Sequence, residues 1–91
     1  MRRHCNQANA PNADMPLTLY RRDRCALCDL AASLLAARGR VPDQVCFLED
    51  DASAEQRYGW RIPVLRRGDT GAELDWPFDA YKLGQFLGEA E

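Results

Sequence analysis

No apolar run in the 91-residue chain approaches the roughly 20 residues that a bilayer-spanning helix needs; the longest, Leu30–Leu35 with its flanking alanines, is broken by Ser33. A transmembrane helix is therefore not expected. Neither charge sign is in excess, with 12 basic against 14 acidic residues and a formal net charge of −2, so no electrostatic footprint for nucleic acid exists. Arg2, Arg3 and His4 are followed by Asn, Gln, Ala, Pro and Asp, not by an apolar segment, which argues against a secretory signal. Histidine occurs once, and the second Cys-x-x-Cys or His-x-His pair that zinc sites normally show is missing. No internal repeat is present, and no low-complexity tract lies beyond the first residues.

What is present fits one small globular domain: 46% apolar and 29% charged residues, enough for a single core. Residues 1–14 are small and polar without a period of 2 or 3.6, and they are expected to form a disordered tail that leaves 15–91 as the folded domain. Leu17-Thr18-Leu19-Tyr20 alternates like a half-buried strand, and Arg21-Arg22-Asp23-Arg24 is a polar turn leading to Cys25. A helix is expected from there to about Arg38, burying Leu27, Leu30, Ala31, Leu34 and Leu35, with Gly39 at the position past its end that favours glycine. Gln44–Leu48 reads as a strand buried on both faces, closed by Glu49-Asp50-Asp51.

Ala52–Tyr58 reads as a short helix stopped by Gly59. Arg61–Leu65 and Glu73–Trp76 then form a hairpin about Gly68-Asp69-Thr70-Gly71, with Pro63 acceptable only at a strand start, an edge or a special turn. The last helix spans Asp79 to about Leu87, with Asp79 as N-cap and Tyr81, Leu83, Phe86 and Leu87 on its buried side.

The chemistry concentrates in Cys25-Ala26-Leu27-Cys28. A sulfur at the first turn of a helix lies beside unpaired N–H groups and the positive end of the helix dipole, which favour thiolate over thiol. A free thiol has a pKa of about 8.5, and helix N-termini or cationic neighbours lower it to roughly 3.5–7.5. Cys25, next to Arg24, is thus the expected nucleophile, and Cys28, one turn deeper, the resolving thiol of a disulfide exchange. The alternative is a zinc half-site completed by His4, Cys5 or Cys46, or a scaffold whose dithiol is incidental. Cys46, in an apolar strand, reads as a buried small hydrophobe, and His4 and Cys5 as solvated. Arg21, Arg22, Arg24, Arg57 and Arg61 either form a solvated face or surround Cys25 and attract an anionic substrate. Trp60 and Trp76 read as core or rim aromatics before ligand contacts.

Three segments together resemble the glutaredoxin-like branch of the thioredoxin fold: Leu19-Tyr20 before Cys25-Ala26-Leu27-Cys28-Asp29, then Arg57-Tyr58-Gly59-Trp60-Arg61-Ile62-Pro63-Val64-Leu65, then Trp76-Pro77-Phe78-Asp79. The resemblance spans about Met15 to Leu87 and implies an α/β fold, β-α-β-α-β-β-α, with a four-stranded mixed sheet and helices on both faces. It implies a monomeric dithiol oxidoreductase acting on protein disulfides or glutathione mixed disulfides, with no metal or organic cofactor and with glutathione as an electron donor; four cysteines without a secretory signal point to the cytoplasm. It further implies a cis Pro63 against the cysteines, an Ile62 backbone that pairs with the incoming thiol or peptide, and substrate contacts from Arg24, Arg57, Arg61, Trp76 and Asp79. The chain departs from the family before its last helix. Typical glutaredoxins use a Gly-Gly pair and an Asp there to hold the γ-glutamyl end, whereas Trp76-Pro77 offers a bulky ring and a residue without an N–H. A weaker glutathione site is expected, with a protein disulfide as the better substrate.

Overall fold

A computed structural model describes residues 16–88. The expected tail over 1–14, with His4 and Cys5, lies outside the described residues. The elements are β1 (Leu17–Arg21), α1 (Ala26–Ala36), β2 (Gln44–Phe47), a 3-10 turn (Leu48–Asp50), α2 (Ala52–Tyr58), β3 (Val64–Arg67), β4 (Glu73–Asp75) and α3 (Ala80–Phe86). The sheet order is β2-β1-β3-β4, parallel between β1 and β2 and antiparallel elsewhere. This is the mixed four-stranded α/β arrangement expected.

The alternation of β1 sorts the core into two layers, because successive side chains point to opposite faces. Leu17 and Leu19 pack with Ala31 and Leu35 of α1, Leu65 of β3, and Phe78, Leu83 and Leu87 around α3. Tyr20 packs on the other face with Cys46, Leu48, Ala54, Tyr58 and Val64. One face is therefore covered by α1 and α3, the other by α2. Among the described residues no helix is long and apolar enough to cross a membrane.

Local chemistry sets the ends. Gly39 has φ +75°, and the bonds from Gly39 N to Ala36 O (2.8 Å) and from Arg40 N to Leu35 O (3.2 Å) close α1 with the left-handed glycine motif. Asp51 accepts from Ala54 N at 3.1 Å and Asp79 from Lys82 N at 2.9 Å, so each carboxylate caps the helix that follows it. Asp43 locks the start of β1, its carboxylate accepting from Leu17 N (2.7 Å) while its own N–H donates to Leu17 O (2.8 Å).

Three burial expectations are corrected. Leu27 and Leu30 are 48% and 53% exposed, because the buried line of α1 runs through Cys28, Ala31 and Leu35. At 3.6 residues per turn both leucines lie about 100° or more around the helix from Cys28. Val45 is exposed rather than buried on both faces, since β2 is an edge strand covered on its Cys46 side. Tyr81 is exposed because the buried side of α3 is Leu83, Gly84 and Leu87, centred about a third of a turn away. Gly84 sits there because the Arg38 guanidinium lies across it: a Cβ would come 2.5 Å from Arg38 Nη2, which bonds Ala80 O at 2.9 Å.

Candidate active site

The site forms where β1 delivers the chain to α1. Cys25 is the N-cap of α1, in an extended conformation (φ −124°, ψ 106°), and its Sγ accepts from Cys28 N at 3.1 Å. Sulfur thus occupies the place that a serine or aspartate oxygen usually takes. Cys25 and Cys28 are joined as a disulfide. Cys25 is partly exposed and Cys28 is fully buried, 0% exposed. An external reagent therefore meets Cys25 first. On reduction, negative charge on Cys25 Sγ is stabilised by the Cys28 N–H and the other unpaired amides of the first turn.

Three of the four residues before Cys25 are tied down. Arg21 Nη2 lies 3.0 Å from Asp29 Oδ1, and its guanidinium stands 5.5 Å from the Phe47 ring centre. Arg22 Nη2 donates to Glu55 Oε2 at 2.6 Å and to Gly59 O at 3.2 Å. The Asp23 N–H donates to the Glu49 carboxylate at 3.1 and 3.3 Å. Arg24 is exposed, with no ion pair or hydrogen bond among the described residues, and its φ of 53° is left-handed. The Arg22–Glu55 bond raises the arginine pKa and holds the Glu55 carboxyl below its ordinary value.

The second wall is the segment from α2 into β3. Register pairs Val64 with Tyr20, so Ile62 and Pro63 leave the sheet at the end where β1 runs into the cysteine loop. Pro63 is buried, the Ile62–Pro63 and Trp76–Pro77 bonds are cis, and Trp76 N donates to Pro63 O at 3.1 Å. Arg61 is clamped by acids: its Nε and Nη2 bond both oxygens of Asp75 (2.9 and 2.8 Å), and Nη2 also bonds Glu73 Oε1 (2.7 Å). The two acids raise its pKa further above the arginine range. Tyr58 stacks on Tyr20 with ring centres 4.1 Å apart and donates to Glu73 Oε2 at 2.6 Å; burial, then that bond, push its hydroxyl pKa upward.

The arginines singled out in the sequence thus divide. Arg21, Arg22 and Arg61 are each engaged by carboxylates, Arg57 stands 5.8 Å from the Tyr58 ring centre, and Arg24 alone of these is unengaged beside Cys25. Asp79 caps α3, and the half-buried Trp76 packs edge-on to Phe78 at 5.0 Å. Trp60, adjoining Gly59, is 87% exposed. Cys46 is fully buried as expected, but it is not a free thiol, so apolar packing is not its whole account. Among the described residues no three His, Cys, Asp or Glu side chains gather to hold a metal ion. Glu49, Glu55, Glu73 and Asp75 escaped the sequence reading. The signal for the last two was the hairpin, whose register sets Glu73 opposite Arg66 and Asp75 opposite Val64.

Comparison with known proteins adds two kinds of finding. A family model described as a glutaredoxin-like domain matches residues 16–88. The X-ray structure of Northeast Structural Genomics target protein XcR50 from X. campestris is 51% identical, with a TM-score of 0.72, covering 82% of this chain and 99% of that one. Its solution structure, also 51% identical with a TM-score of 0.72, covers 85% of this chain and 97% of that one. No curated protein matches.

Proposed function

The chain belongs to the glutaredoxin-like domain family, and from that premise we propose that it is a thiol–disulfide oxidoreductase with Cys25 as nucleophile and Cys28 as resolving thiol. The observation that carries the reading is the asymmetry of the pair, a partly exposed sulfur at a helix N-cap joined to a fully buried one in the next turn.

In the reduced protein the Cys25 thiolate attacks one sulfur of a substrate disulfide, forming a mixed disulfide and expelling the other sulfur as a thiolate. Cys28 then loses its proton and attacks Cys25 Sγ, releasing the second substrate thiol and closing Cys25–Cys28. Two electrons pass to the substrate, and a thiol reductant restores the dithiol. The cytoplasm is the compartment that supplies such a reductant. In this reading the Ile62 backbone, just before β3, pairs with the arriving chain.

A protein disulfide is the preferred substrate. Arg61 is already held by Glu73 and Asp75, and an Asp79 oxygen by the Lys82 N–H, so two groups that glutathione would need are in use. Exposed Trp60 and Leu27 offer apolar contact that a protein segment can cover and glutathione cannot.

Trapping on Cys28→Ser tests both halves. This variant should accumulate mixed disulfides on Cys25, and in single-cysteine variants Cys25 should alkylate faster than Cys28 near neutral pH. A faster Cys28 overturns the assignment of roles. Turnover of a glutathione mixed disulfide far above every protein substrate overturns the preference.

A further inference from the structure

We propose that Arg22 is a positioning residue, which latches the cysteine loop to the segment before Pro63 and so sets where Cys25 meets an incoming disulfide; this rests on the oxidoreductase reading above. One nitrogen, Nη2, spans the two walls of the site by bonding Glu55 Oε2 at 2.6 Å and Gly59 O at 3.2 Å. Arg22 lies three residues before Cys25, and Gly59 four before Pro63.

The surroundings are built to keep the link. Glu55 sits on α2 one turn before Gly59, and its carboxylate passes so close over Gly59 that a Cβ there would come 2.5 Å from Glu55 Oε2 and 2.5 Å from Glu55 O. Any side chain at position 59 would push the carboxylate away. A second tie works from the other side, since the Glu49 carboxylate accepts the Asp23 N–H. With residues 22 and 23 both held, the left-handed turn at Arg24 delivers Cys25 in one orientation.

Positioning matters because the three sulfurs of an exchange must come into line, and a small misplacement of reacting atoms costs rate steeply. The latch itself is partly solvated, with 37% of the Arg22 and 43% of the Glu55 side chain exposed, so it contributes little to folding. Its loss should therefore slow the reaction without unfolding the protein, and without changing the thiolate, which is stabilised by the helix start.

The test uses Arg22→Met, Glu55→Gln and Arg22→Lys in the full chain, with a peptide disulfide as substrate. Arg22→Met should lower kcat/KM about tenfold or more, with iodoacetamide alkylation of Cys25 across pH within twofold of the parent. Glu55→Gln, which keeps the Gly59 bond, should lose less, and Arg22→Lys should restore part of the rate. Adding Glu55→Gln to Arg22→Met should cost nothing further, because both act through one contact. Amide hydrogen exchange at residues 23–25 and 59–62 should rise together in Arg22→Met. Turnover within twofold of the parent, an equal fall in alkylation, or additive losses would each overturn the proposal. A parent chain that reduces no disulfide overturns the oxidoreductase reading and the kinetic role with it; exchange that does not rise overturns the latch alone. If Arg22→Met does not fold, the order parent, Arg22→Lys, Glu55→Gln decides by the same readouts.

Discussion

Replacing Glu73 by alanine should destabilise the domain by about 2–3 kcal/mol, most of it from a single stranded hydroxyl. Glu73 accepts from Tyr58 OH at 2.6 Å and from Arg61 Nη2 at 2.7 Å. Arg61 keeps both bonds to Asp75, so its loss is small. Tyr58 is 3% exposed and stacked on Tyr20, and its hydroxyl would lose its charged acceptor, with only the Tyr20 side chain left beside it. A buried polar group so abandoned costs about 1–3 kcal/mol, and a hydrogen bond to a charged partner contributes roughly 1.5–3. For a domain of this size about 1 kcal/mol moves Tm by 4–8 °C, so Tm should fall by about 10–20 °C in melts followed by circular dichroism. Glu73→Gln, which keeps an acceptor and loses the charge, should cost about 1 kcal/mol. In a Tyr58→Phe background no hydroxyl is stranded, and Glu73→Ala should also fall to about 1 kcal/mol there. The pH dependence has a definite sign. Burial pushes the Glu73 pKa up, but the bonds from Tyr58 and Arg61 outweigh it and leave the pKa below the ordinary 4.5. A depressed folded pKa contributes stability that is present above about 4.5 and lost as pH falls through the folded value. The gap between parent and Glu73→Gln should therefore close on acidification. A Glu73→Ala cost under about 0.5 kcal/mol, or one equal in both backgrounds, would refute the reasoning.

Arg24→Gly should leave stability unchanged or raise it by up to about 1.5 kcal/mol in urea melts: a left-handed L residue costs about 1–2 kcal/mol, and glycine's greater unfolded freedom takes back roughly 0.5–1. Arg24→Ala, with the same strain, should gain nothing. Gly84→Ala gains about 1 kcal/mol of helix propensity but must push Arg38 off Ala80 O, so it should change stability by less than about 1 kcal/mol. In an Arg38→Ala background the same change should stabilise by about 1 kcal/mol.

Contiguous patterns were legible in the sequence, and contacts between distant segments were not. The strand at Leu17–Tyr20, the glycine at 39 and the cap at Asp79 are each decided by a few neighbouring residues; most elements lie within a residue or two of expectation, but β3 starts three residues later than expected, at Val64, and β1, expected to be half-buried, is buried on both faces as a central strand. Of the α1 face expected from its apolar residues, Ala31 and Leu35 are buried but Leu27 and Leu30 are not, because the inward line runs through Cys28. The arginines were visible as a cluster, but their acids come from α1, α2 and β4, so which of them stays unengaged depends on strand register and helix placement. Of the site, the Cys25–Cys28 pair needed only spacing. Glu49, Glu55, Glu73 and Asp75 needed the fold.

The pairing of Tyr20 with Val64 joins residues far apart in sequence, and this makes the two sulfurs a reporter of folding. Three positions of separation let the cysteines meet in any turn-like conformation an unfolded chain visits, so an oxidised pair does not report a completed fold. Unequal reactivity is different: it arises when Cys28 is sealed against the completed core while Cys25 stays at the surface. A chain still emerging from the ribosome, with β3 not yet made, would offer two equivalent thiols. The ratio of their labelling rates therefore measures, inside a living cell, what fraction of the molecules has finished folding.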